Sequence, residues 1–303
     1  MTWFWFSLAA LIFWSGSDLF SKIGCQDGSD KYSHLKMVIA VGVVMGLHAA
    51  YEIFIGGVEI NFSIILTYLP VSALYILSMT IGYLGLRYIE LSISSPICNS
   101  SGALVAVLAL ITGGMASVVP MQLAGTALVC IGVVGLGIVE ANEDDELRRA
   151  RQDSANHRYA KSWLAIVLPI IYCLLDALGT FADSIVLETL DEGSANVAYE
   201  LTFLVCGFAC FIYTVIIKKQ RLVPKMEAPK YIGATFETIG QFAYIYALAD
   251  SEHVAMSAPI ISAYCAASVL WSRIFLKEKL SWKHYCAIVV VVAGIVILGI
   301  CDP

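Results

Sequence analysis

The sequence predicts an all-α integral membrane protein of ten transmembrane helices, arranged as two inverted five-helix repeats. Three observations carry that expectation. Hydrophobic residues make up 59% of the chain and charged residues only 14%, more apolar surface than a soluble domain of this length can bury. Apolar stretches of about 20 residues, enough to cross a bilayer as a helix, recur along the whole chain. Finally, the second half echoes the first.

The echo is clearest around Val254 to Leu280, which opens on Ser257-Ala258-Pro259 and ends in Arg273, Lys277, Glu278 and Lys279. An earlier stretch opens on Ser94-Ser95-Pro96. Superposing the prolines gives an offset of 163 (259 minus 96), which lays Tyr83 on Tyr246, Ser94 on Ser257, Ile97 on Ile260, Asn99 on Ser262 and Ala103 on Ala266. Such internal repeats in membrane proteins face each other across a substrate path.

Taken in order, the spans fall near 3–23, 35–55, 63–86, 91–112, 121–140, 163–187, 195–217, 230–249, 254–276 and 282–300. Gly56-Gly57, Gly113-Gly114 and Pro70, Pro120, Pro169 and Pro224 punctuate them. The one long polar connection, 141–162, is read as a cytoplasmic linker between a first repeat at 1–140 and a second at 163–303. The N-terminal stretch has no basic flank and no small-residue cleavage site, so no cleaved signal is expected. Spans five and ten, uncharged and rich in small residues, are expected at the periphery, as a candidate homodimer surface.

Charge tests the count. Assigning the connections alternately to two sides puts all 18 Lys and Arg on one side. The other side, with both termini, carries Glu59, Glu188, Asp191, Glu192, Asp250, Glu252 and Asp302. Basic residues stay cytoplasmic during insertion, so both termini are expected to face out of a plasma (inner) membrane. An odd number of spans per half makes the second copy enter from the opposite side, which inverts it.

Phe275-Leu276-Lys277-Glu278-Lys279-Leu280-Ser281 is similar to a Phe-Leu-Gly-Glu-Arg-Leu-Ser phrase common after the ninth helix of EamA-type members of the drug/metabolite transporter superfamily, with Lys277 in place of the glycine. Phe13-Trp14-Ser15-Gly16 with Lys22, and Gly85-Leu86-Arg87-Tyr88, resemble two further phrases of that family. The first half departs from the pattern, with Met115 where the glutamate of the phrase would fall. The resemblance, which spans essentially the whole chain, implies transport of small metabolites or drugs, often coupled to protons.

Ionisable residues inside the spans carry the chemistry, because each costs roughly 2.5–3.5 kcal/mol at mid-helix and is tolerated mainly against a cavity or a partner. Asp18, Asp176, Glu200 and Glu237 stand out. Asp18 shares a stripe with Trp14, Ser21 and Lys22, so an Asp18–Lys22 pair within one helix is the plain alternative to a cargo site. Asp176 opens a stripe with Gly179, Thr180 and Asp183, and the two aspartates are similar to the paired first-helix glutamates of small multidrug resistance transporters. Glu237 lies on the polar face Gly233, Gly240, Gln241 and Tyr244. Glu200, beside Asn196 and Tyr199, is placed nearer the outer surface, where water would wet it.

Trp14, Tyr75, Tyr83, Tyr172, Tyr246 and Tyr264 sit within spans rather than at the interfacial belts, and with the acids they suit an ammonium group. Asn99 and Ser262, matched by the repeat, lie one turn past their prolines and complete the candidate substrate-binding set. Asp18, Asp176 and Glu237 are the proton-coupling candidates.

The expected activity is secondary active transport of an amine, a choline-like compound or an amino acid, with a multidrug exporter as alternative and a non-transporting receptor or scaffold behind it. The expected partners are a small-molecule substrate and the lipid bilayer, with no nucleic acid. An enzyme is not expected: the five histidines are scattered, and no HExxH, GxSxG or phosphate loop occurs. No cofactor or metal is expected, and the nine cysteines, with no CxxC among them, read as packing residues.

Overall fold

The computed structural model describes residues 2–25, 30–88, 91–113, 119–141, 164–277 and 280–301, and every regular element among them is helical. In the first half these are α1 (Thr2–Cys25), α2 (Ser33–Tyr51), α3 (Phe62–Tyr88), α4 (Leu91–Cys98), α5 (Ser101–Gly113) and α6 (Pro120–Ala141). The second half supplies α7 (Leu164–Val186), α8 (Glu192–Phe211), α9 (Pro224–Leu248), α10 (Val254–Ser262), α11 (Tyr264–Trp271) and α12 (Trp282–Cys301). Nearly all of the linker expected at 141–162 lies outside the described residues, as does Met115.

Helix α2 runs on through a π-helical turn, Glu52–Gly56, and stops at Gly57, whose φ of +76° is a left-handed conformation that costs glycine little. Matching π-helical turns extend α8 over Ile212–Ile217 and α11 over Ser272–Leu276. Asp191 caps α8 by accepting a hydrogen bond from the Ser194 amide at 2.8 Å. Pro224 opens α9 at a position where its missing N–H costs nothing.

Nine described segments are long and apolar enough to cross a membrane. The remaining helix on the expected list, α9, is 25 residues long but carries Lys225, Glu227, Lys230 and Glu237, which lower its hydropathy. It starts at Pro224 rather than near 230, so a charged turn precedes its apolar part.

The fourth and ninth spans depart from expectation. The sequence marks each as a single span, 91–112 and 254–276, and each is broken, at Asn99–Ser100 and at Ala263. Both breaks fall just after a proline, Pro96 or Pro259, and they coincide under the offset of 163. A proline's missing donor and its clash fall on the turn before it, whereas at the breaks themselves the backbone tightens, with the Ser100 amide bonding the Ile97 carbonyl at 3.3 Å and the Ala263 amide the Ile260 carbonyl at 3.1 Å.

Packing is chiefly between the halves. Helix α1 lies along α9, α3 along α7, α2 along α8, α6 along α12, and α5 along α10. Small residues permit the approach: a methyl on Gly294 would come within 2.8 Å of the Gly125 carbonyl oxygen and the Val129 amide nitrogen. The outward faces of α6 and α12 remain bare, with Ile131, Ile138, Val289 and Ile300 all more than half exposed, as a lipid-facing surface requires. The eight cysteines described form no disulfide with one another.

Candidate functional site

One cavity collects side chains from α1, α3, α4, α5, α7, α8, α9, α10 and α11. Its interior measures ≈ 70 Å³ to the centres of water-sized spheres, room for roughly five waters at ~10–15 Å³ each. The two broken spans cross against it: a methyl on Gly102 of α5 would lie 2.8 Å from the Ala258 carbonyl oxygen and collide with Ser262. Only glycine lets the two segments pass at that depth.

Three carboxylates reach the cavity, and each is held by serine hydroxyls. Asp18 Oδ2 accepts from Ser95 Oγ of α4 at 2.5 Å and from Ser268 Oγ of α11 at 2.8 Å. Asp176 Oδ2 accepts from Ser101 Oγ of α5 at 2.6 Å. Glu237 Oε2 accepts from Ser17 Oγ of α1 at 2.7 Å. The second oxygen of Asp18 and of Asp176 takes no hydrogen bond from any described residue, while Glu237 also has the Trp14 indole N–H as a neighbour. Asp18 is thus tied to two other helices rather than to Lys22 of its own helix, whose Nζ donates to the Leu86 carbonyl at 3.0 Å. No Lys or Arg is among the described residues that line the cavity.

Aromatic rings form the walls. Trp14 lies 4.9 Å from the Tyr244 ring and 5.8 Å, edge on, from Tyr264. Tyr75 Oη bonds Tyr244 Oη and donates to Thr180 Oγ1 at 3.1 Å. Three further polar atoms on lining residues, Trp14 Nε1, Tyr83 Oη and Gln241 Nε2, are buried without a partner among the described residues, a condition normally relieved by water or a ligand.

Of the twelve sequence-derived candidates, eleven line this cavity: Trp14, Asp18, Tyr75, Tyr83, Asn99, Tyr172, Asp176, Glu237, Gln241, Ser262 and Tyr264. Glu200 does not. It is fully buried between α8 and α2, where His48 Nδ1 lies 2.8 Å from its Oε1 and Asn196 Nδ2 donates to the same oxygen at 3.2 Å. Of the two readings the sequence leaves open for it, wetting by water fails because His48 of α2, 152 residues away in sequence, covers it.

The pairing of Tyr83 with Tyr246 also fails. Tyr83 faces the cavity, whereas Tyr246 packs outside it against Phe6 and Phe242. Contacts on α1, α3, α7 and α9 instead follow an offset of 158: Gly240 backs Trp14 while Gly82 backs Tyr172, and Gly233 meets Ser21 while Gly179 meets Tyr75. The extra five residues enter before α10, where the short Ser251–His253 turn sits. The serines that hold the acids were missed, because a serine in an apolar run carries no pattern of its own.

Among the described residues no group of His, Cys, Asp and Glu could hold a metal ion. Comparison with known proteins gives a family match for the second half and a likeness of fold for the whole. Residues 163–300 match the EamA-like transporter family. No curated protein matches the chain. A solved crystal structure is similar over 97% of this chain and 95% of that one, with a TM-score of 0.64 and 11% identity, a likeness of fold alone.

Proposed function

We propose, from the match of residues 163–300 to the EamA-like transporter family, that this chain is of the drug/metabolite transporter superfamily and is a secondary active transporter of a small polar or cationic metabolite. Its two halves alternate access to the cavity, and proton exchange at a carboxylate drives the cargo. The observation that carries this reading is an aromatic cavity holding three carboxylates and no basic side chain among its described lining. An ammonium group supplies the missing charge, through Coulomb and cation–π attraction.

Inversion of the halves is supported by the coincident breaks at Asn99–Ser100 and Ala263, by the reciprocal packing of α1 on α9 and α3 on α7, and by the conjugate glycine contacts. The charge separation along the chain supports a plasma-membrane orientation with both termini outside. A second reading, export of lipophilic cations, draws on the same aromatic walls, but ≈ 70 Å³ favours a small cargo.

Proteoliposomes test the proposal. Radiolabelled amines, choline and amino acids are offered under an imposed pH difference, with protein-free vesicles as the reference. Accumulation that collapses with a protonophore is the expected result. Absence of uptake across the whole set contradicts the proposal.

A further inference from the structure

Trp14 and Asp18 stand one turn apart on α1, and Tyr172 and Asp176 stand one turn apart on α7, all four on the cavity wall. In each pair the aromatic residue precedes the acid by four positions, and the second pair lies 158 residues beyond the first (176 minus 18). The rings are seated alike, Trp14 against Gly240 of α9 and Tyr172 against Gly82 of α3, and those glycines are again 158 apart. A methyl on Gly240 would lie 2.7 Å from Trp14 Nε1, and one on Gly82 would lie 2.9 Å from Tyr172 Cε2, so each ring is fixed by a helix of the opposite half. The acids are prepared alike too, with one oxygen anchored by serine and the other unengaged by any described residue. The site is therefore two copies of one unit, a carboxylate beside an aromatic ring, which is the chemistry that holds an alkylammonium group.

Glu237 breaks the pattern. The residue 158 before it is Met79, which also lines the cavity. Its carboxylate has no counterpart, so it falls outside the duplicated pair. Tyr83 and Gln241, once more 158 apart, each bring a polar atom without a described partner to the same wall, and each is more than nine-tenths buried. The Tyr83 oxygen can accept from an ammonium N–H group, whereas the unpartnered Gln241 nitrogen is a donor that serves an oxygen of water or of a carboxylate.

We propose that the cavity takes a linear aliphatic diamine, with one ammonium at Trp14–Asp18 and the other at Tyr172–Asp176, leaving Glu237 for the proton. A cargo with a single positive charge would satisfy one unit and leave the other carboxylate uncompensated in a buried site, which is costly. A diamine compensates both, and its methylene chain lies among the aromatic rings. The assignment deepens the transporter reading and rests on it for the identity of the cavity as the cargo site.

The test is calorimetric titration of the purified full chain with diamines from diaminopropane to diaminooctane, against butylamine and choline. One intermediate chain length should bind best, at least about tenfold tighter than butylamine, a difference of ~1.4 kcal/mol. Asp18→Asn and Asp176→Asn should each bring that diamine down to the butylamine level. The length series uses the unaltered protein, so it decides the matter even where a variant fails to fold. Equal binding of monoamine and diamine, or no dependence on length, overturns the diamine assignment. If monoamines are then transported, the transporter reading stands without it. If no amine binds and no solute moves in vesicles, both fall.

Discussion

Replacing Glu237 with Gln separates proton coupling from architecture. Ser17 Oγ donates to Glu237 Oε2 at 2.7 Å, and a glutamine presents an acceptor oxygen at the same reach. The bond changes from charge-assisted, ~1.5–3 kcal/mol, to neutral, ~0.5–1.5 kcal/mol. The fold therefore loses about 1 kcal/mol, and the cavity keeps its shape. What disappears is the group that takes up and releases a proton.

In vesicles, one proton exchanged per cargo makes a pH difference of one unit worth about 1.4 kcal/mol, or roughly tenfold accumulation. Wild-type protein should reach that ratio. The Glu237→Gln variant should still equilibrate cargo, with a ratio near unity that ignores the pH difference. Tenfold accumulation by the variant would refute the assignment of the proton to Glu237. Loss of both equilibration and accumulation in a folded variant would instead make Glu237 a cargo ligand.

Three further outcomes follow from the packing. Gly294→Ala drives a methyl against the Gly125 carbonyl and should cost about 1–3 kcal/mol by overpacking, read as a lower thermal midpoint with unchanged cargo affinity. Glu200→Ala removes the carboxylate buried against His48 and should lower stability by about 1.5–3 kcal/mol, the worth of a hydrogen bond to a charged group; cargo affinity measured by calorimetry should hold, since Glu200 is off the cavity wall. Gly102→Val fills the crossing of the broken spans and should abolish cargo binding in any protein that still elutes as a folded species.

Much of this arrangement was legible in the sequence because the bilayer is a strict solvent. A carboxylate among apolar residues has few tolerable environments, so Asp18, Asp176 and Glu237 announced a cavity before any geometry was known. Pro96 and Pro259 marked the spans that break, though not the residue at which they break, because a proline acts on the turn before it and the breaks lie after it. Long-range partners left no local trace. Nothing around Glu200 points to His48, which is 152 residues away, and nothing marks Ser17, Ser95, Ser101 or Ser268 as the hydroxyls that hold the acids. The repeat was found at one offset, 163, because Ser-Pro steps are conspicuous. The second offset, 158, emerged only from which glycine faces which ring, since a change in connection length shifts the numbering without moving the helices.

The most direct measurement is proton release on cargo binding. Purified protein in weakly buffered detergent solution is titrated with the best-binding amine while the pH is followed. The wild type should release protons in proportion to amine bound, and Glu237→Gln should bind the amine with no release. Saturable binding by the wild type with no change in pH would contradict exchange of cargo against a proton in this cavity.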